Sequence, residues 1–234
     1  MSTTRTETTA VTRKPPRDTR GFWRILLAVI APLPMLTNAI YYLLSPTDGN
    51  APFEENVTAA IAHTERMAAL EWIQMPFVTL LIPATFAVAW VARRGAPKLT
   101  TAGALIALTG FCVGFGGLPG TVSLANLTVK AGLDPAAVSP LSIAREKHPI
   151  IQLSGLLFIV GITIGLLLLG MALWRSRIAP AWMGIALALG GFTHPFLPGH
   201  LTQGIGLLVA AVGFSGATYA LLRMRNDDFD LAAR

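Results

Sequence analysis

The chain has 234 residues, 53% of them hydrophobic and only 13% charged, with a mean hydropathy of +0.59. Soluble domains carry about 25% charged residues, so a water-soluble globular protein is excluded. The net charge of +6 does not imply nucleic acid, because the basic residues flank apolar runs and form no separate patch. The lone cysteine, Cys112, excludes an intrachain disulfide.

Residues 1–20 are polar, rich in Thr and Arg, and lack an apolar period, which predicts a disordered basic tail. The run 22–44 is long enough to span a bilayer and is bent near Pro32 and Pro34, because proline removes a helix hydrogen bond. Turn residues follow over 45–56. A second helix is expected from about Asn56 through Glu71 into the membrane, spanning 72–92 and ending at Arg93-Arg94. Further spans are predicted at 99–118, 148–174, 181–197 and 201–222. Between them lies a connection over 119–147, where Asp134-Pro135 reads as the cap and first residue of a short helix. Residues 226–234 form a polar tail. The expected fold is all-α, one domain over 21–225 with six transmembrane helices.

Charge orients the bundle. Of the 18 Lys and Arg, only Arg66, Lys130, Arg145 and Lys147 fall on the face opposite the two termini. The positive-inside rule therefore places both termini in the cytoplasm of a multi-pass protein of the cell membrane. Trp23, Trp90, Trp174 and Trp182 fall near the cytoplasmic ends, as interfacial aromatics do. A weak repeat accompanies this pattern. Glu71-Trp-Ile-Gln74, His148-Pro-Ile-Ile-Gln152 and His200-Leu-Thr-Gln203 each open an inward-running helix, which suggests three helical hairpins. Gly110, Gly114, Gly155, Gly161, Gly165, Gly190 and Gly206 are expected to let helices three to six approach closely.

The polar residues suggest a site at the outer face. Helical spacing puts His63, Met67, Glu71 and Gln74 on one stripe, His148, Gln152 and Gly155 on a second, and His200 with Gln203 on a third. Asn38, Tyr41 and His194 fall at comparable depth. Glu71 is the candidate general acid or base, with His148 and His200 as further catalytic groups. Asn38, Tyr41, Gln74, Gln152 and Gln203 are candidates for substrate binding. His63, His148, His194 and His200 are candidate ligands for a transition metal (Zn, Fe or Cu), or His148 and His200 for haem. No H-x-x-x-H, H-E-x-x-H or phosphate-loop motif is present, so a metal site would have to be assembled across helices.

Ordinary readings stand beside these. The histidines suit headgroup-level helix starts, and the glutamines suit interhelical hydrogen bonding. Asn56 and Asn126 open glycosylation sequons on the outer side. Three functions fit: a membrane-embedded enzyme acting on a lipid or isoprenoid-like substrate, a non-catalytic haem- or metal-binding protein, or a transporter or accessory subunit. The expected partners are membrane lipid and a small hydrophobic substrate, not nucleic acid. The oligomeric state is not legible.

Overall fold

The computed structural model describes residues 18–116 and 120–230. The tail at 1–17, the segment 117–119 and the last residues, 231–234, lie outside the described residues. Of the described residues 83% are helical, and none of them lies in a strand. Five helical stretches are long and apolar enough to cross a membrane: Arg20–Leu44, Thr64–Ala92, Pro97–Phe115, Pro149–Ser176 and His200–Arg223. Their outward faces carry exposed large apolar side chains, including Ile25, Phe86, Leu105, Leu156 and Ile205. Such a belt is unstable in water and natural in lipid. The protein is an integral membrane helical bundle.

The sixth expected span is shorter. Here α10 runs Ala181–Phe196, and its apolar part is Ala181–Thr193. Sixteen residues rise about 24 Å, against about 30 Å of hydrocarbon.

The first stretch is two helices, α1 (Arg20–Ile30) and α2 (Leu33–Leu44), broken by a turn at Ala31-Pro32. The proline-bend expectation therefore corresponds to a real break. The expected continuous helix from Asn56 through Glu71 does not form. Instead α3 (Phe53–Ala62) ends at His63, whose φ of −134° and ψ of 37° lie outside the helical region, and α4 (Thr64–Ala92) starts afresh. His63 is exposed and belongs to neither helix, so it cannot share a stripe with Glu71. Met67 and Leu70 instead begin the buried face of α4.

The long connection folds into α6 (Thr121–Lys130) and α7 (Pro135–Glu146), following α5 (Pro97–Gly116). Asp134 caps α7, its carboxylate accepting from the Ala136 N–H at 3.1 Å, with Pro135 at the first helical position. Phe53 and Val57 of α3 pack on Ala125 of α6. The Ser139 hydroxyl of α7 donates to the Glu54 carboxylate of α3. That hydrogen bond, then one from the backbone of Glu54 itself, holds the carboxyl below its ordinary value. The contact is therefore intact at neutral pH and is lost only as pH falls through the depressed value. Together α3, α6 and α7 form a helical cap over one end of the bundle.

Asn56 locks this cap to the loop before it. Its side chain accepts from the Asp48 N–H at 3.0 Å and donates to the Asp48 carbonyl at 2.9 Å. Asn56 is 1% exposed and Asn126 is 4% exposed. Neither sequon asparagine is therefore accessible in the folded protein.

The fourth stretch comprises α8 (Pro149–Val160), a π-helical turn (Gly161–Gly165) and α9 (Leu166–Ser176). The last helix is α11 (His200–Arg223). Small residues set the spacing below the π turn. An added Cβ at Gly110 of α5 would sit 2.7 Å from the Gly161 Cα, and one at Gly165 would sit 2.7 Å from the Ala107 Cα. Gly170 of α9 meets Gly184 of α10 in the same manner, and Gly190 of α10 meets Ala210 of α11. Gly155 differs from the expectation. An added Cβ there meets nothing within 4 Å, so it is not a packing glycine. Above the π turn the main packing partners of α8 are α5 and, at its start, α7.

Contacts also sort the two ends. The start of α1 and the ends of α4 and α11 lie together: Arg20 pairs with Asp227, and the Trp90 indole N–H donates to the Phe229 carbonyl. Gly95 lies against Ser176, bringing the end of α9 to the same level. The cap and the loop at Ser45–Pro52 occupy the opposite end.

Candidate functional site

Under the cap lies a cavity of about 540 Å³. This is within the roughly 300–1,000 Å³ typical of small-molecule sites. Its walls come from α2 (Asn38, Tyr41, Tyr42), α4 (Gln74, Phe77, Val78), α5 (Gly114, Phe115) and α8 (Ile151, Ser154, Gly155, Phe158). The start of α6, Arg145 of α7 and His200 of α11 close the capped end. A second cavity of about 500 Å³ adjoins it, sharing Tyr42, Gly49 and Phe158, and reaches between α8 and the turn at Pro195–Pro198. The lower wall is apolar and aromatic; the polar groups gather toward the cap.

Four of the expected site residues, Asn38, Tyr41, Gln74 and His200, line this cavity. The His200 ring packs edge-on to Tyr42 with centroids 5.1 Å apart, and its Nε2 lies 3.6 Å from Asp48 Oδ1. The Tyr41 hydroxyl lies beside Ser45 and Thr47. Asn38 is 2% exposed, and its Oδ1 has no hydrogen-bond partner among the described residues.

The other candidates are placed elsewhere. Glu71 does not line the cavity. Its carboxylate pairs with Lys130 at the end of α6, and Asn126 Nδ2 lies 3.5 Å from its other oxygen. Both members of the pair are about 40% exposed, so Glu71 is a surface carboxylate fastening the cap to α4. His148 is the N-cap of α8 and is exposed, and Gln152 points outward. The inward face of α8 is Ile151, Ser154, Gly155 and Phe158 rather than the expected His148, Gln152 and Gly155. Pro149 at the first position starts the helix after His148, which leaves His148 outside it. Gln203 is buried, and its Nε2 donates to the Leu197 carbonyl at 3.2 Å, tying α11 to the turn that precedes it. His194 is in α10, and its side chain lies outside the described residues.

No group of three or more His, Cys, Asp or Glu side chains is arranged to hold a metal among the described residues. His63 and His148 are each exposed and neither lines the cavity with His200. Among the described residues, His63, His148 and His200 are therefore not brought together as ligands for Zn, Fe or Cu, nor His148 with His200 as axial ligands of haem. Against known protein families, curated proteins and solved structures, the chain matches none.

Sequence reasoning missed Ser154, Tyr42 and Arg145 as lining residues. Ser154 had a usable signal, since a serine five residues into a strongly apolar helix needs a polar face. Arg145 had none, because only the folded cap brings it to the cavity, and Tyr42 on α2 was passed over beside Tyr41.

The fastening role of Glu71 predicts a small, coupled effect. Glu71→Gln and Lys130→Met should each lower thermal stability slightly, and the double variant should cost no more than either alone. The coupling is expected at about 0.5–1 kcal/mol, as for exposed ion pairs. Strictly additive effects in a double-mutant cycle would show that the two side chains do not act together.

Proposed function

We propose that the protein binds a lipid-like amphiphile in the capped cavity, head toward the cap and chain along the aromatic wall. The observation that carries this reading is the open space at Gly155. Below it the contacts of α5 with the π turn, of α9 with α10 and of α10 with α11 are drawn to backbone distance by glycine, whereas here glycine borders empty volume. Asn38, Tyr41, Gln74 and His200 are the proposed binding residues. No carboxylate lines the cavity among the described residues, so this reading assigns Glu71 no acid–base step.

In this reading six helices cross the cell membrane as three antiparallel pairs: α1 and α2 with α4, α5 with α8 and α9, and α10 with α11. The short α10 is accommodated because α9, the π turn and α11 flank it and the turn after it abuts the second cavity. The arginine-rich end is cytoplasmic and the cap is outside. Reporter fusions after Arg94 and Arg177 should read inside, and one after Asp134 outside. An outside signal after Arg94 would invert this orientation.

Gly155→Leu tests the binding reading. The side chain enters open volume, so the variant should express and melt like the parent. Native mass spectrometry of the purified protein should show co-purified lipid on the parent and little on the variant. Equal lipid on both, with the same melting temperature, would remove the cavity as the binding site.

A further inference from the structure

Three polar side chains, Asn38, Gln74 and Ser154, lie on three different helices and all line the cavity below the cap. Counting helix rise at about 1.5 Å per residue, Asn38 is about 9 Å below the end of α2, and Ser154 about 8 Å below the start of α8. Gln74 is one turn below Glu71. Asn38 is 2% exposed and Ser154 is 6% exposed. None of the three side chains has a hydrogen-bond partner among the described residues. At this depth lipid offers no substitute for water, so an unpartnered amide or hydroxyl is costly.

The Arg145 and His200 side chains at the rim are differently placed. Arg145 already interacts within the protein, and the His200 imidazole faces the Asp48 carboxylate. The open hydrogen-bonding capacity of the cavity is thus neutral. Two amides and a hydroxyl can each donate and accept. A bare anion has only acceptors and leaves Asn38 Oδ1 without a donor, whereas a head bearing several hydroxyls supplies both.

Resting on the binding reading above, we infer that the cavity selects an amphiphile with a neutral, polyhydroxylated head, the hydroxyls bonding to Asn38, Gln74 and Ser154. Tyr41, at the same level, offers a ring against which such a head can lie. The neighbouring second cavity leaves room for a chain to pass between α8 and α10.

The test titrates full-length protein in detergent with a monohexosyl diacylglycerol and with phosphatidic acid of the same acyl chains, followed by native mass spectrometry. The hexosyl lipid is expected to bind about tenfold more tightly, the scale of one or two well-made hydrogen bonds. Asn38→Leu with Gln74→Leu should abolish that preference and leave the melting temperature nearly unchanged, because removing polar groups that have no partner in the protein costs little. If that pair does not fold, Ser154→Ala should narrow the preference by itself. Equal or tighter binding of phosphatidic acid would overturn the head chemistry while leaving the cavity as a lipid site. Binding of neither lipid above the level of Gly155→Leu would overturn the binding reading, leaving a cavity that holds water.

Discussion

Gly190→Leu should leave little folded protein in detergent. An added Cβ at this position would lie 2.4 Å from the Ala210 nitrogen and 2.5 Å from its Cα. Both are backbone atoms of α11, so no rotamer change relieves the clash and the two helices must separate. The same seam is pinned at its next contact, where Gly213 would meet the Leu187 nitrogen and Cα, each at 2.4 Å. Separation would therefore break both contacts together. Overpacking a well-fitted core costs roughly 1–3 kcal/mol, and a clash with backbone belongs at or above the upper end. At about 2–4 °C per kcal/mol for a chain of this size, melting should fall by about 6–12 °C. Gly190→Ala should fall between parent and leucine variant, since even a methyl meets the clash. An unchanged melting temperature for Gly190→Leu would show that α10 and α11 do not pack at this distance. Gly155→Leu is the internal control: it is the same substitution in a membrane helix, placed where the added atoms meet no neighbour.

Removal of the chain after Arg225 should loosen the arginine-rich end of the bundle. Phe229 is 7% exposed and lies against Trp90 with ring centroids 5.5 Å apart. The Trp90 indole N–H donates to the Phe229 carbonyl at 3.2 Å, and the Arg93 guanidinium lies 3.1 Å from the center of the Trp90 ring on its face. Arg20 reaches Asp227 at 3.5 Å, and Arg94 reaches the Asp230 carbonyl at 3.5 Å. The segment thus ties the start of α1 to the end of α4, two elements distant in the chain. Loss of a buried phenylalanine side chain costs about 3–5 kcal/mol in a full core. At a bundle end about 2–3 kcal/mol is expected for Phe229→Ala, and more for the truncation. The measurements are melting temperature and Trp90 fluorescence, the latter because truncation exposes that ring to water. A truncated protein with unchanged melting temperature and emission would show that the segment merely rests on the surface. Asp227→Asn should have a much smaller effect, because its contact is exposed.

How much of the site was legible follows from depth. Asn38, Tyr41, Gln74 and His200 stand out in the sequence because each is polar within or beside an apolar run, and all four line the cavity. Glu71 stands out for the same reason, yet its carboxylate leaves the stripe for Lys130. The sequence places Lys130 in a connection of unspecified path, so nothing local reveals that a cation waits there. His63 was misread through helix continuity. Its backbone breaks the helix, and with it the spacing rule that joined His63 to Glu71. Gly155 was misread because a glycine that admits a neighbouring helix and a glycine that borders a cavity look alike in a sequence.

The sequence by itself determined the solvent and the long apolar helices. Apolar runs of membrane length, prolines at the bends and arginines at one end are local properties, and transfer free energy acts on them segment by segment. Only the tertiary structure decided which helix faces meet, which glycines close a contact and which polar side chains remain unpaired beneath the cap. Those outcomes depend on how each helix is rotated against its neighbours. Rotation is set by the joint fit of many small side chains, with Gly110 on Gly161 and Gly190 on Ala210 as its fixed points. In lipid no difference in hydrophobicity between one helix face and another announces that fit in advance.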